Sequence, residues 1–150
     1  MPDPDSLIAN LPAAARAIAA GEVTAAALMD ACLARVEAVE PRVRAFAWLD
    51  PARARRLAGE ADRRQAAGET LGPLHGIPVG IKDILDTAGI PTEHGTPAFA
   101  GNVPVRSAAA VRHLEAAGFA ERYRTVRMHR GPRVPWDPAA VFGAHNLFWG

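Results

Sequence analysis

The run Ile77-Pro78-Val79-Gly80-Ile81 constrains this chain more than any other stretch of its length. It is short, apolar and rich in β-branched residues, which predicts a buried strand. Pro78 has no N–H to give to a neighbouring strand, so it suits the start or the edge of one. The run then stops at an amine and a carboxylate, Lys82 and Asp83. A buried strand set among amphipathic helices predicts an α/β fold. In open α/β sheets, ligands bind outside the carboxyl ends of strands, where this lysine falls.

Lys82 is also an oddity of composition. It is the one lysine in the chain, against sixteen arginines. A surface cation can be either residue, but a desolvated lysine can lose its proton and a guanidinium stays charged. Lys82 is therefore a candidate general base. The competing explanation is codon bias in an alanine- and arginine-rich chain, which would leave one lysine by chance. Its place at the end of a strand favours the functional reading.

The bulk properties exclude several classes. A chain of 150 residues fits one domain. A net charge of +1 argues for neither a nucleic-acid nor an acidic partner. Cys32 has no second cysteine to pair with; it reads as a small core residue of a helix. The histidines (75, 94, 113, 129 and 145) lack metal-ligand spacing, so no metal and no cofactor is expected. The start, Met1-Pro2-Asp3-Pro4-Asp5, lacks the features of a signal peptide, and no run is long enough to span a membrane. A cytoplasmic protein is expected.

Helices dominate the first half. Leu11 to Ala20 is alanine-rich and stops at Gly21. Thr24 can cap a second helix, whose stripe is Leu28, Cys32, Val36 and Val39, with Met29 and Leu33 beside it. Pro41 is expected to end that helix. Ala45 to Leu49 reads as a short strand or extended segment. Asp50 and Pro51 then start a third helix, to about Ala67, with Leu57 inward and Arg53, Arg56, Arg63 and Arg64 mostly outward. A Gly- and Pro-rich connection covers Thr87 to Pro104. Ser107 is expected to cap a last helix through Val111 and Leu114 to Ala117.

Past Gly118 the apolar periodicity fades. Glu121 to Arg133 holds five arginines, and Val134 to Gly150 turns apolar, ending in Leu147-Phe148-Trp149. The arginines with Tyr123 could grip phosphates and stack a base. The stretch is short and the net charge is near zero, so nucleic acid is not expected as a partner.

Gly72-Pro73-Leu74-His75-Gly76-Ile77-Pro78-Val79-Gly80-Ile81-Lys82-Asp83-Ile84 resembles the lysine motif of the amidase signature family. Upstream, Gly21 to Thr24 and Ala31 to Glu37 look like the family's N-terminal helices. Downstream, Asp86 to Thr92, Gly95-Thr96-Pro97 and Ala109 to Gly118 continue the likeness, in order. The resemblance implies an α/β fold in which helices pack on a mixed β-sheet, with this chain forming an incomplete N-terminal part. It implies hydrolysis of amide carbon–nitrogen bonds by a Ser–cis-Ser–Lys triad, with Lys82 as the lysine. It places His94, Gly95 and Thr96 near the pocket as candidate substrate contacts. The implied partner is a small-molecule amide, with a second copy of the chain or a complementing fragment as further candidates. Asp83 would oppose loss of the lysine proton if it faced the amine. It is therefore expected to point away and bond backbone or a neighbouring loop. His75 is expected to pack or bond near the site. The stretch Thr87 to Thr92 followed by Gly95 looks more like general bacterial amidases than the amidase-like component of the tRNA-dependent, glutamine-forming amidotransferase.

The sequence also departs from the family. Ser6 and Ser107 are its serines, and neither stands in a Gly- and Ser-rich loop. Pro135-Trp136-Asp137-Pro138-Ala139 resembles the approach to the family's first serine loop, but His145 falls near the bridging serine. Residues 1–118 are expected to form the N-terminal part of an amidase domain. Residues 119–150 form an atypical tail, either a frameshift or truncation product or a real divergent element; the loss of periodicity favours the first. Both triad serines being absent, the chain alone is expected to be inactive.

Overall fold

The computed structural model describes residues 2–117 and the strand 120–125. A short helix α1 (Pro4–Leu7) is followed by α2 (Leu11–Ala19) and α3 (Ala25–Val43). Strand β1 (Phe46–Trp48) leads into α4 (Pro51–Ala66), and a loop then leads into β2 (Pro78–Lys82). A long connection containing one 3-10 turn (Pro97–Phe99) reaches α5 (Ala109–Ala116) and β3 (Ala120–Thr125). The sheet is mixed, in the order β1-β3-β2. Strand β3 runs antiparallel to β1 and parallel to β2, with Thr125 opposite both Phe46 and Lys82. Helices α4 and α5 pack against β3, and α3 reaches β2. This is the α/β arrangement expected of helices on a mixed sheet.

Strand β2 begins at Pro78, one residue later than the apolar run, and carries Lys82 as its last residue. Among the described residues β2 lies at an edge, which suits a proline that cannot donate. Strand β3 lies beyond the point where apolar periodicity fades. Its sequence, Ala-Glu-Arg-Tyr-Arg-Thr, has no clean alternation, and its position comes from backbone pairing on both sides. The other expectations for the tail, including Arg127 to Arg133, Pro135 to Ala139, His145 and Leu147 to Trp149, lie outside the described residues.

Several helix ends follow the sequence closely. Helix α2 closes with Gly21 N–H bonded to Ile18 O and Glu22 N–H to Ala17 O, the reciprocal pair that satisfies the last carbonyls of a helix. The Thr24 side chain accepts from Ala27 N–H at the start of α3, and Asp50 accepts from Arg53 N–H at the start of α4. Other expectations are corrected. Pro41 does not end α3, which continues to Val43. A proline costs a helix its own N–H bond, but in the last turn that is a single bond, and Arg44 N–H still reaches Glu40 O. Leu57 is half-buried; the inward stripe of α4 is Ala54, Ala58 and Ala61, small enough to bring α4 close to Met29 and Leu33 of α3. Ser107 does not cap α5. The cap position is Ala108, without a side-chain bond, and Ser107 Oγ instead accepts from Ala88 N–H at 3.1 Å. Arg53, expected outward, is half-buried, whereas Arg56, Arg63 and Arg64 are exposed.

Two clusters form the core. One joins α1 and α2 to Leu28 of α3 and Ile77; the other joins α3 to α4. Between them, the α3 N-terminus receives a second cap from far away in sequence. Asp62 of α4 accepts from Ala25 N–H at 2.7 Å and from Ala26 N–H at 3.0 Å. With Thr24, this satisfies three amides that a helix start would otherwise leave open, and puts a carboxylate at the positive end of the helix dipole. Asp62→Ala is expected to lower unfolding free energy by about 1–3 kcal/mol. Removing the exposed Arg56–Glu60 pair by Arg56→Ala should change it by less than about 0.5 kcal/mol. Urea denaturation of both variants makes the comparison.

Cys32 packs against the first cluster, as its place in an apolar helix stripe suggests. Burial, and then the negative charge of Asp5, push its thiol up to about 11. The folded-state value is raised, so the neutral thiol stabilises the fold fully below the unfolded value of 9.0, and that contribution is lost as pH rises toward 11. Labelling by iodoacetamide at pH 8 should be far slower in the folded chain than in 6 M urea, and should accelerate only as pH approaches 11.

Candidate functional site

Lys82 sits at the carboxyl end of β2, opposite Thr125 of β3. Ile77 and Ile81 are buried beneath it, while Lys82 itself is half-buried, so its apolar surroundings lie on one side and not all round. The approach to the strand is tightly held. His75 is buried, with its Nε2 2.9 Å from Ala61 O, which agrees with a packing and bonding role. Gly76 has φ +73, and a Cβ there would come within 2.8 Å of the Ala25 Cβ. Only glycine meets both the left-handed backbone and that close approach without strain.

The residue after the lysine is the most strongly tethered group of the site. Asp83 is 2 % exposed. Its Oδ1 accepts from Glu93 N–H at 2.9 Å and its Oδ2 from Gly95 N–H at 3.2 Å. Its backbone carbonyl accepts from His94 N–H at 3.2 Å. Three successive amides of one loop thus converge on one residue. Charge-assisted bonds to backbone N–H groups are what make a buried carboxylate tolerable. The bonding of Asp83 to a neighbouring loop is as expected from the sequence.

This geometry brings two of the predicted site elements together. The 93–95 loop, with His94 and Gly95, is fastened directly behind Lys82 by the Asp83 bonds, and Thr96 follows it. His94 has φ 55, uncommon for a residue with a side chain, and Gly95 follows with φ 65. His94 is half-buried, and its ring lies 4.6 Å from that of Phe99, which is 48 % exposed. Further bonds stitch the loop to itself. Gly101 N–H reaches Glu93 Oε1, Thr92 N–H reaches Asn102 O, and Asn102 Nδ2 returns to Thr92 O. Thr92 is fully buried beneath them. The sequence signal for these tethers is weak, because each partner is a backbone amide and carries no residue identity.

The two serines are engaged locally. Ser6 Oγ donates to Asp3 O at 2.7 Å, and Ser107 Oγ accepts from Ala88 N–H. A groove of about 770 Å³ between α3, β1 and α4 is lined by Val36, Glu40, Pro41, Phe46 and Leu49 among others, and includes none of Lys82, His94, Gly95 or Thr96. Among the described residues no His, Cys, Asp and Glu group is arranged to hold a metal, and no helix is long and apolar enough to cross a membrane.

Comparison with known proteins covers the same stretch. The family model described as Amidase matches residues 27–125. The A chain component of the glutamyl-tRNA(Gln) amidotransferase of Chloroflexus aurantiacus is 42 % identical over 146 residues, covering 89 % of this chain and 30 % of that protein. Native peptide amidase from Stenotrophomonas maltophilia has a similar fold, with a TM-score of 0.67 and 37 % identity over 79 % of this chain and 24 % of that one. A fatty acid amide hydrolase structure gives a TM-score of 0.75 at 26 % identity, over 85 % of this chain and 23 % of that one. The chain spans about 30 % of the length of the Chloroflexus relative.

Asp83→Ala would leave two buried amides without an acceptor, a cost of about 1–3 kcal/mol for each. Hydrogen exchange followed by NMR should show protection lost first at Glu93 and Gly95, with the β2 amides retaining theirs.

Proposed function

The chain belongs to the amidase signature family, and we propose that it contributes the lysine of a site that cleaves amide carbon–nitrogen bonds. Lys82, as a neutral amine, takes a proton through a bridging serine from a nucleophilic serine, which attacks the amide carbonyl. Returning that proton to the nitrogen lets ammonia or an amine leave. An ester to the serine remains and is released by water or another acceptor. The observation that carries this reading is the position of Lys82, last in a strand whose following residue anchors the 93–95 loop.

Neither Ser6 nor Ser107 has the setting of such a nucleophile, since both hydroxyls are committed to backbone partners. The proposal therefore gives this chain the base and not the nucleophile. It also predicts that the 150-residue chain alone releases no ammonia from primary amides. A second copy or a complementing fragment carrying the serines is the partner it calls for. The named relatives include a component of an amidotransferase and a peptide amidase. Both names imply chemistry at an amide nitrogen, so the reading is made at that level, with a cytoplasmic enzyme acting on a small amide.

The test is a chimera in which residues 27–125 replace the matching segment of the Stenotrophomonas peptide amidase. Hydrolysis of a peptide amide is expected. Lys82→Ala and Lys82→Arg should each lower kcat by about 10⁴-fold or more, because neither side chain can act as a neutral base. A folded chimera whose Lys82→Ala form is as active as its parent would overturn the assignment.

A further inference from the structure

We infer that Asp83 is a positioning residue that holds the 93–96 loop as a substrate-binding wall beside Lys82. The inference rests on the proposed function for the identity of the reaction, but its structural basis is separate. Two groups must keep a fixed relation for an amide to be held in reach of a base: the base itself and the surface that holds the substrate. Here each is carried by a different kind of backbone. Lys82 stands on a strand paired to β3. The loop has no such ladder along Glu93 to Thr96, and its link to the strand runs through Asp83, by two side-chain bonds and one carbonyl bond.

The direction of the bonds matters. Because the amides of Glu93, His94 and Gly95 all turn inward to Asp83, the His94 side chain is carried away from them on a left-handed backbone, where its ring meets the half-exposed Phe99. The inward amides are spent on the carboxylate, so the outward surface offers the His94 ring, Thr96 and Phe99. A ring pair next to a hydroxyl is suited to an amide with an apolar or planar acyl group. Loss of the Asp83 bonds would free this surface while leaving Lys82 on its strand. Substrate holding should therefore suffer and proton transfer should not.

Asp83→Asn tests this with minimal change of volume. One amide oxygen can still accept from Glu93 or Gly95, but the NH₂ group then faces the other N–H as a second donor. In the 150-residue chain, benzamide titrated against the ¹⁵N-labelled protein should move the His94, Gly95 and Thr96 amide signals. The same titration of Asp83→Asn should leave them unmoved, with the β2 amides unchanged between the two proteins. In the peptide amidase chimera, Asp83→Asn should raise KM about tenfold with kcat within about twofold, whereas Lys82→Ala should act on kcat. Benzamide shifts that are absent in the parent chain, or that persist in the variant, overturn the inference. So does a loss of kcat at unchanged KM, which would make Asp83 a partner of the lysine. A chimera in which Lys82→Ala keeps full kcat while Asp83→Asn still raises KM would defeat the assignment of the base and leave the loop's role standing.

Discussion

Within little more than one turn of α4, three neighbouring residues reach three other parts of the chain. Ala61 offers its carbonyl to His75, Asp62 its carboxylate to the first amides of α3, and Gln65 its amide to Ile18 O near the end of α2. Each bond satisfies a group that would otherwise be left open at a helix end or a strand approach. Together they fix where β2 begins, because the turn before it must pass Gly76 against Ala25. The position of Lys82 is thus set by a helix some twenty residues upstream as much as by its own strand.

The parts of this arrangement that are legible in the sequence are those with side-chain signatures. Thr24 and Asp50 announce helix starts because their oxygens are the acceptors that bare amides need. Ile77 to Ile81 announces a strand through its β-branched residues. Pro41 misleads because a proline signals a stop, although its missing donor is harmless in a last turn. Strand β3 is not legible at all. With Glu121, Arg122 and Arg124 it has no apolar alternation, and what places it is backbone pairing to two strands at once. Backbone bonds do not select residue types, so they leave little trace in a sequence.

The same contrast runs through the site. Lys82 stands out because it is chemically distinct among arginines, and Asp83 because a carboxylate beside a neutral amine needs another partner. The identity of that partner is not readable. Amides at Glu93 and Gly95, ten and twelve residues on, are generic groups brought near by loop geometry. His94 and Gly95 draw attention through the family likeness, and the structure adds a reason for their backbone, since consecutive positive φ angles turn three N–H groups toward one residue.

The strand order carries a consequence for synthesis. Strands β1 and β2 are not neighbours; β3, the last of the three to be made, lies between them. While the first eighty or so residues emerge, the helices can assemble, since α3 and α4 pack on each other. The edges of Phe46–Trp48 and Pro78–Lys82 must wait for roughly forty more residues, which at ~5–20 residues per second is about 2–8 s. During that interval the strand ending in Lys82 has only the α4 turn and Gly76 to hold it. The sheet closes as a late insertion, and any chaperone that shields this protein has its main task in that window.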